Sequence, residues 1–295
     1  MLSRLKAAFP SLTPFTWEES ERERYIWFVM EDDEIIGIDK SELTERDFSV
    51  LSAFLIPYRE KFPMPTDEEK KWIDALQGRQ EREGESSYRF IHFHILTRHV
   101  EPKAVDQALR EAIDREVKII WKDAHEGIII EEIEQAKETI KFEEIIDLIM
   151  SDLYLNIKLY VAPANYDAMS PKTYHDRTSE QAHLLFNTLG QSVISFTDGM
   201  TDLILDRTSQ EDKQNIISVL GDYADDPAWL EAMTVLFKSS LNISVASKKL
   251  FMHRNTLLYK MDKFSENTGL DLRNFDDAVK VQLAIRCLNM EKCTK

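Results

Sequence analysis

The stretch that most constrains the fold lies near the C-terminus, where two short amphipathic helices are predicted to follow each other closely. The first is predicted to begin with Ser244 as its N-cap and to place Ala246 on its inner face. The second is predicted to bury Leu257, Met261 and Phe264, which stand at positions i, i+4 and i+7. A small residue at 246 would let the two helices cross closely, so the pattern predicts a bihelical unit.

Clear start and stop signals frame this unit. Asp226 followed by Pro227 predicts the start of a preceding helix, since Asp is a good N-cap and Pro suits the first turn. The run 251–253 is short enough to be a tight turn between the two helices. Gly269 predicts a left-handed C-cap, and Asn274 predicts the cap of a last helix. The C-terminal part is therefore expected to be an all-α domain.

The predicted second helix has a polar outer face that suits contact with DNA. In a helix-turn-helix, the second helix presents its N-terminal polar residues to the major groove. Arg can bond guanine, Asn can bond adenine, and Lys can hold phosphates. The alternative is an ordinary solvated face, and Tyr259 could equally seal the helix interface. The candidate DNA-contacting residues are Ser244, Lys248, Lys249, His253, Arg254, Asn255, Thr256, Tyr259, Lys260 and Lys263.

The distribution of charge supports this interpretation, although the average charge opposes it. The whole chain carries a formal net charge of −16, which disfavours contact with phosphates. Residues 228–295, however, contain 11 Lys and Arg against 7 Asp and Glu, whereas residues 1–227 contain 26 against 46. A mildly basic module on a strongly acidic body fits a DNA-contacting domain carried by a body that avoids DNA. A chance fluctuation of a few surface charges is the alternative.

Two runs in the C-terminal part carry a specific family resemblance. They read Asn-Ile-Ser-Val-Ala-Ser-Lys-Lys-Leu-Phe-Met-His-Arg-Asn-Thr-Leu-Leu-Tyr-Lys-Met at 242–261 and Thr-Gly-Leu-Asp-Leu at 268–272. They resemble the C-terminal domain of PucR/CdaR-type transcription regulators, which implies DNA binding and a response to a small metabolite. Family members often carry Arg where this chain has Leu258, so one basic side chain is missing. Leu258 could pack against a neighbour or contact a thymine methyl.

The rest of the chain is predicted to be α+β. Residues 25–30 and 35–38 are predicted to form paired strands around the acidic turn 31–34, and residues 42–56 and 68–83 are predicted to be helices. The prolines within 57–67 predict a connector. Further strands are predicted at 88–96, 117–121, 128–130, 155–161 and 193–196, with helices at 101–114, 140–152 and 178–190. We divide the chain into domains at 1–84, 85–222 and 223–295.

The order of elements in the middle domain resembles the fold of diguanylate cyclase (GGDEF) domains. In those enzymes a hairpin between the second and third strands carries glycines that let the backbone approach a nucleotide. Here the equivalent residues read Lys-Asp-Ala-His-Glu-Gly at 122–127, and Thr97 and Arg98 stand where the resemblance implies a metal-binding Asp. The domain is therefore expected to be degenerate and to serve sensing or assembly. A nucleotide-handling signalling enzyme remains an alternative.

Other candidate sites are weaker. His92 and His94 share one face of a predicted strand, but no local Cys or carboxylate completes a metal site. Six glutamates could suggest a carboxylate site, but a solvated helix face with its lead-in is the preferred interpretation: Glu131, Glu132, Glu134, Glu138, Glu143 and Glu144. Cys287 and Cys293 are expected to be reduced thiols.

These observations together predict a DNA-binding transcription regulator. Its expected fold class is α+β, a sensing region with a degenerate GGDEF-like sheet followed by an all-α helix-turn-helix domain. The expected partners are double-stranded DNA, a small-molecule effector and a second copy in a homodimer or higher even oligomer. No catalytic residue, cofactor, metal or membrane span is expected, and the expected location is the cytoplasm. A second alternative is an interaction protein whose helix-turn-helix has lost DNA binding.

Overall fold

The computed structural model of the chain describes residues 2–15, 24–30, 34–80, 87–133, 139–166 and 169–293. The chain divides into two compact units, of which the first is Met1–Phe186 with Gly190–Phe196 and the second is Asn187–Leu189 with Thr197–Lys295. The second unit thus begins upstream of residue 223, and the predicted boundary at 84 lies outside the described residues. The three-domain division stays a prediction.

The N-terminal part of the first unit contains a four-stranded antiparallel sheet of order β1-β3-β2-β4. The predicted pair at 25–30 and 35–38 is confirmed, while residues 31–33 of its turn lie outside the described part. Trp27 faces Gly37 across this pair, and an added Cβ on Gly37 would lie 2.5 Å from the Trp27 ring. Glycine is therefore required for the indole to lie flat on the sheet. The strands are β1 (Thr13–Pro14), β2 (Tyr25–Val29), β3 (Ile35–Asp39) and β4 (Ile56–Pro57).

Helices lie between and beside the strands of this part of the chain, and the structure corrects three sequence-based expectations. The helix predicted at 42–56 spans only Glu45–Ser52, and Ile56 lies in β4. Residues 57–67 are not only a connector, because Tyr58 and Phe62 stack at 4.5 Å and are buried, which favours a short helix despite the prolines. The helix predicted at 68–83 ends earlier; residues 81–83 lie outside the described part. The helices are α1 (Leu2–Ala8), α2 (Glu45–Ser52), α3 (Tyr58–Lys61) and α4 (Asp67–Leu76). A 3-10 turn, Lys40–Glu42, precedes α2.

A five-stranded sheet of order β6-β7-β5-β8-β9 forms the centre of the first unit. Neighbouring strands are antiparallel except β8 and β9, which are parallel. The five predicted strands are confirmed, although β7 is longer than the predicted 128–130. The GGDEF-like nature of this sheet stays a prediction. The strands are β5 (Tyr88–Ile95), β6 (Lys118–Trp121), β7 (Glu126–Glu132), β8 (Ile157–Val161) and β9 (Val193–Ser195).

Three helices accompany this sheet: α5 (Pro102–Ala112), α6 (Phe142–Asp152) and α7 (Pro171–Thr188). Alternate residues of β5 point to opposite faces, and both faces are largely buried. One face, with Ile91, Phe93 and Ile95, packs into the main core with side chains of α5 and α6. His92, on the opposite face, contacts α7.

Glu131 corrects the interpretation of the acidic run as a solvated helix face. It lies in β7 with only 1% of its surface exposed. Its Oε2 accepts from Arg89 Nε at 2.6 Å, and its Oε1 accepts from the Ile140 N–H at 2.9 Å. The long-range arginine and backbone partners compensate the cost of burying this carboxylate. Glu143 and Glu144 are exposed on α6, as expected, whereas Glu134 and Glu138 lie outside the described residues.

The second unit is helical. It contains α8 (Phe196–Asp206), α9 (Gln210–Ser218), α10 (Pro227–Lys238), α11 (Ile243–Lys249), α12 (Arg254–Thr268) and α13 (Phe275–Cys293), with a 3-10 turn at Gly221–Asp225. Trp229 of α10 stacks on Phe264 of α12 at 4.6 Å between ring centroids. The predicted fold class, an α+β region followed by an all-α domain, is confirmed. Within the described residues, no helix combines the length and apolar character that a membrane crossing requires.

Candidate nucleic-acid interface

The first helix of the predicted bihelical unit, α11, is capped by Asn242 rather than by Ser244. The Asn242 Oδ1 accepts a hydrogen bond from the Val245 N–H at 3.1 Å. Ser244 is exposed within the first turn, and its carbonyl accepts from the Ser247 hydroxyl. Asn and Ser are both good capping residues. The Asn242 side chain caps the helix because it stands three positions before Val245 and reaches its N–H. Ala246 is fully buried, as predicted.

The turn between α11 and α12 is held by two backbone hydrogen bonds. The Met252 N–H donates to the Ser247 carbonyl at 2.9 Å, and the Phe251 N–H donates to the Lys248 carbonyl at 3.2 Å. This is the bonding of a Schellman motif, with Phe251 in the left-handed region at a φ of 51°. The predicted turn at 251–253 is therefore confirmed, but sequence reasoning gave its first residue no particular role.

The second helix, α12, begins after His253, whose Nδ1 accepts from the Asn255 N–H at 3.2 Å. Leu257, Met261 and Phe264 are buried, as their spacing predicts. Since these residues fix the inner face, the first turn of α12 is left outside the core. Arg254, Asn255 and Thr256 are accordingly exposed.

The end of α12 and the start of α13 follow the sequence signals. Gly269 has a φ of 76°, and its N–H donates to the Ser265 carbonyl at 2.8 Å. The Asn274 Oδ1 accepts from the backbone N–H groups of Asp276 and Asp277 at 2.9 and 3.3 Å. Both predicted caps are confirmed. Gly269 sets the end of α12 and thereby the extent of its outer face.

The ten candidate residues lie on α11, the turn and α12. Nine are exposed, and Lys260 is half-buried. Tyr259 is 61% exposed, so it does not seal the helix interface; Lys263 Nζ lies 5.6 Å from its ring centroid. The missing basic position, Leu258, is half-buried.

A family comparison decides the nature of this domain: residues 229–287 match the model of the PucR C-terminal helix-turn-helix domain. The C-terminal module is a PucR-type helix-turn-helix domain. The matched range runs from within α10 to within α13 and includes all ten candidate residues.

Curated relatives fall into two kinds. The uncharacterized protein YxkF of Bacillus subtilis (strain 168) is 27% identical over 253 residues, which is 83% of this chain and 84% of the relative. The carbohydrate diacid regulator of Escherichia coli (strain K12) is 46% identical over 50 residues, 17% of this chain and 13% of the relative. The purine catabolism regulatory protein of Bacillus subtilis (strain 168) is 31% identical over 62 residues, 21% of this chain and 12% of the relative. The likeness to these two named regulators covers only short segments of the chain.

Basic side chains on the PucR-type domain are free of acidic partners where contact with DNA is expected. Within the described residues, Lys248, Lys249 and Arg254 form no salt bridge. Arg273 instead pairs with Asp262 and Asp271, away from the start of α12. The Arg273 backbone N–H and guanidinium lower the pKa of Asp271 below its ordinary value. These three unpaired cations lie on α11 and the first turn of α12.

The hairpin between β6 and β7 is closed by its own side chains. Asp123 Oδ1 accepts from the backbone N–H groups of His125 and Glu126, both at 2.8 Å. Lys122 Nζ donates to Glu126 Oε2 at 2.7 Å. A Cβ on Gly127 would lie 2.4 Å from the Phe93 ring and 2.5 Å from the Ile120 carbonyl oxygen. Gly127 therefore serves internal packing.

The two histidines of β5 have different hydrogen-bond partners. His92 is buried, and its Nε2 lies 2.8 Å from Thr178 Oγ1; His94 Nδ1 lies 3.0 Å from Glu126 Oε1. Burial, together with positive charge on His175 and Lys122, lowers the pKa of His92 to about 3. Among the described residues, no group of three or more metal-ligating side chains could hold an ion. Cys287 is a buried free thiol, while the side chain of Cys293 lies outside the described part.

Proposed function

We propose that this chain is a transcription regulator that reads double-stranded DNA through α11 and α12. The observation that carries the proposal is the PucR-type domain at residues 229–287, with an exposed polar first turn at the start of α12. In a helix-turn-helix, this part of the second helix enters the major groove. The relatives that are named as regulators support the same function.

Base reading is assigned to the first turn of α12. Arg254 suits a bidentate pair with guanine, Asn255 suits adenine, and Thr256 can bond a base or a phosphate. All three are exposed on one helical turn whose position is fixed by the buried Leu257. The rigid inner face thus presents the polar side chains without a large ordering cost.

Phosphate contacts are assigned to the surrounding lysines, namely Lys248, Lys249, Lys260 and Lys263. Such contacts set the register of a protein on DNA and carry no sequence information. The acidic residues 1–227, with 26 basic against 46 acidic side chains, repel phosphates and leave binding to the C-terminal domain. Ser244, His253 and Tyr259 complete the proposed contact surface.

The part of the chain upstream of residue 228 is assigned a regulatory role. We propose that residues 1–227 bind a small-molecule effector and hold a homodimer, or a higher even assembly, in the cytoplasm.

The closed hairpin at residues 122–127 and the packing of Gly127 oppose cyclase activity. Incubation with GTP and magnesium or manganese should therefore yield no cyclic dinucleotide above a heat-inactivated control, and detectable product would contradict this assignment.

Selection from a random-sequence duplex pool tests the proposed function. The full-length chain should enrich one sequence class, and it should bind a selected duplex at least about 10³-fold more tightly than a scrambled one at physiological salt. Absence of enrichment after repeated rounds, with the chain folded by circular dichroism, would contradict a sequence-specific regulator.

A further inference from the structure

Phe251 is the most exposed large apolar side chain described in the second unit. Its ring is 99% exposed, and it occupies the position directly after the C-cap of α11. The backbone there has a φ of 51°, in the region that glycine adopts freely and that other L-residues enter only with strain. The two backbone hydrogen bonds of the turn explain the left-handed conformation of residue 251. They do not explain why this residue is a phenylalanine.

The chain itself shows the ordinary solution to the same problem. Helix α12 ends in the same left-handed conformation with Gly269, at a φ of 76°. A glycine or asparagine at 251 would keep both turn hydrogen bonds, because these use only backbone atoms. Phe251 therefore adds backbone strain and an exposed aromatic ring without stabilising the turn. A strained residue of this kind motivates a search for a functional role.

The position of Phe251 in the chain indicates what its ring meets. It stands between Lys248 and Lys249, assigned to phosphates, and Arg254, assigned to a base. A partner that reaches both sides of the turn also reaches the ring. The apolar parts of DNA available there are the C5-methyl of thymine and the deoxyribose of the groove wall, and Phe is among the side chains that contact the thymine methyl.

We propose that Phe251 is a DNA-contacting residue whose ring packs on the apolar surface of the groove beside the first turn of α12. This inference rests on the proposed function and adds a DNA-contacting residue to the same site. A phenylalanine at this position strains the backbone and lowers the stability of the fold, whereas its ring stabilises the complex with DNA. Replacing it should therefore weaken DNA binding without destabilising the fold.

Substitution of Phe251 in the full-length chain tests this separation. Phe251→Asn should weaken binding to a selected duplex by about tenfold, the scale of one good base contact. Its thermal midpoint should equal or exceed that of the unsubstituted chain, because Asn tolerates the left-handed region. Phe251→Leu should retain most of the affinity, since it keeps an apolar side chain.

Tyr154 offers a matched control in the first unit. It is also an aromatic residue in the left-handed region, with a φ of 52° and 89% exposure, and it follows the C-cap of α6. Tyr154→Asn should relieve comparable strain and leave DNA affinity unchanged. Equal affinity of Phe251→Asn and the unsubstituted chain would overturn the inference while leaving the proposed function standing. Failure of the unsubstituted chain to select any duplex would overturn both.

Deoxyuridine at single thymine positions distinguishes the two sources of the contact. If the ring meets a thymine methyl, one such replacement should weaken binding of the unsubstituted chain and have no effect on Phe251→Asn. If the ring meets deoxyribose, no replacement should remove the difference between the two proteins. Both patterns support an apolar groove contact, whereas a Phe251→Asn thermal midpoint lowered in proportion to its affinity would reassign the residue to folding.

Discussion

His92 illustrates how a single buried group ties stability to pH. The Thr178 hydroxyl donates to the Tyr174 carbonyl at 2.9 Å, so its oxygen accepts from His92 Nε2 and the imidazole is the neutral Nε2–H tautomer. Burial lowers the pKa of His92 to about 3, and burial also lowers the pKa of His175 beside it. The unfolded chain therefore binds protons below pH ~6.5 that the folded chain excludes.

We expect the free energy of unfolding to decrease as pH falls from 7 to 5. His92 contributes a slope of about 1.4 kcal/mol per pH unit below its unfolded pKa, and this contribution is absent above it. His92→Gln keeps a donor toward Thr178 and does not titrate, so it should reduce the slope by about one proton. Urea unfolding at several pH values measures both slopes, and identical slopes for the two proteins would contradict the assignment.

Individual caps and charged pairs show where residue-level prediction stops. Asn242 and Ser244 are both good capping residues two positions apart, and only the placed backbone shows that the Asn242 Oδ1 reaches the Val245 N–H. The solvated role predicted for Glu131 was wrong because its partner, Arg89, lies 42 positions away in the chain. Such pairings come from the tertiary structure, which local sequence does not reveal.

Helices of the second unit were more predictable, because their inner faces repeat with helical period. Leu257, Met261 and Phe264 are buried as that period requires. The short helix α3 was missed, since the burial of Tyr58 and Phe62 outweighs the prolines around it. The exposed residues of the candidate site follow from the same period, whereas the strained conformation of Phe251 has no local sequence signal.

The left-handed end of α12 at Gly269 predicts how a substitution there changes the stability of the protein. An added Cβ would meet nothing within 4 Å, so Gly269→Ala should lower stability through backbone strain alone, by about 1 kcal/mol. Gly190 is the matched control, because its Cβ would also meet open space and its φ is not positive. Gly190→Ala should be neutral or slightly stabilising. Thermal unfolding compares the two, and equal effects would contradict the role of Gly269 as a left-handed cap.

For the whole molecule, DNA recognition by one small domain implies assembly. A single helix-turn-helix contacts few base pairs and rarely reaches the ~10⁻⁸–10⁻¹¹ M affinities typical of specific regulators. The acidic first part of the chain supplies no compensating phosphate contacts, since residues 1–227 carry 20 more acidic than basic side chains. Two domains related by a two-fold axis would provide the missing contacts.

We therefore predict a homodimer or higher even assembly whose operator is an inverted repeat with half-sites separated by whole helical turns. Light scattering on the full-length chain, free and bound to a selected duplex, measures the number of copies. Insertion of five base pairs between the half-sites should weaken binding strongly, whereas insertion of ten should restore most of it. A monomer at micromolar concentration, both free and on the duplex, would contradict the prediction.

Specific and nonspecific affinity, measured on the same set of variants, test the central claim that α12 reads DNA sequence. Arg254→Ala with Asn255→Ala should weaken binding to a selected duplex by roughly 1–3 kcal/mol for each contact and leave binding to a scrambled duplex nearly unchanged. Lys248→Ala is the control; it should weaken both duplexes alike and reduce the salt dependence. A double variant at 254 and 255 that retains the full preference for the selected duplex would contradict the account.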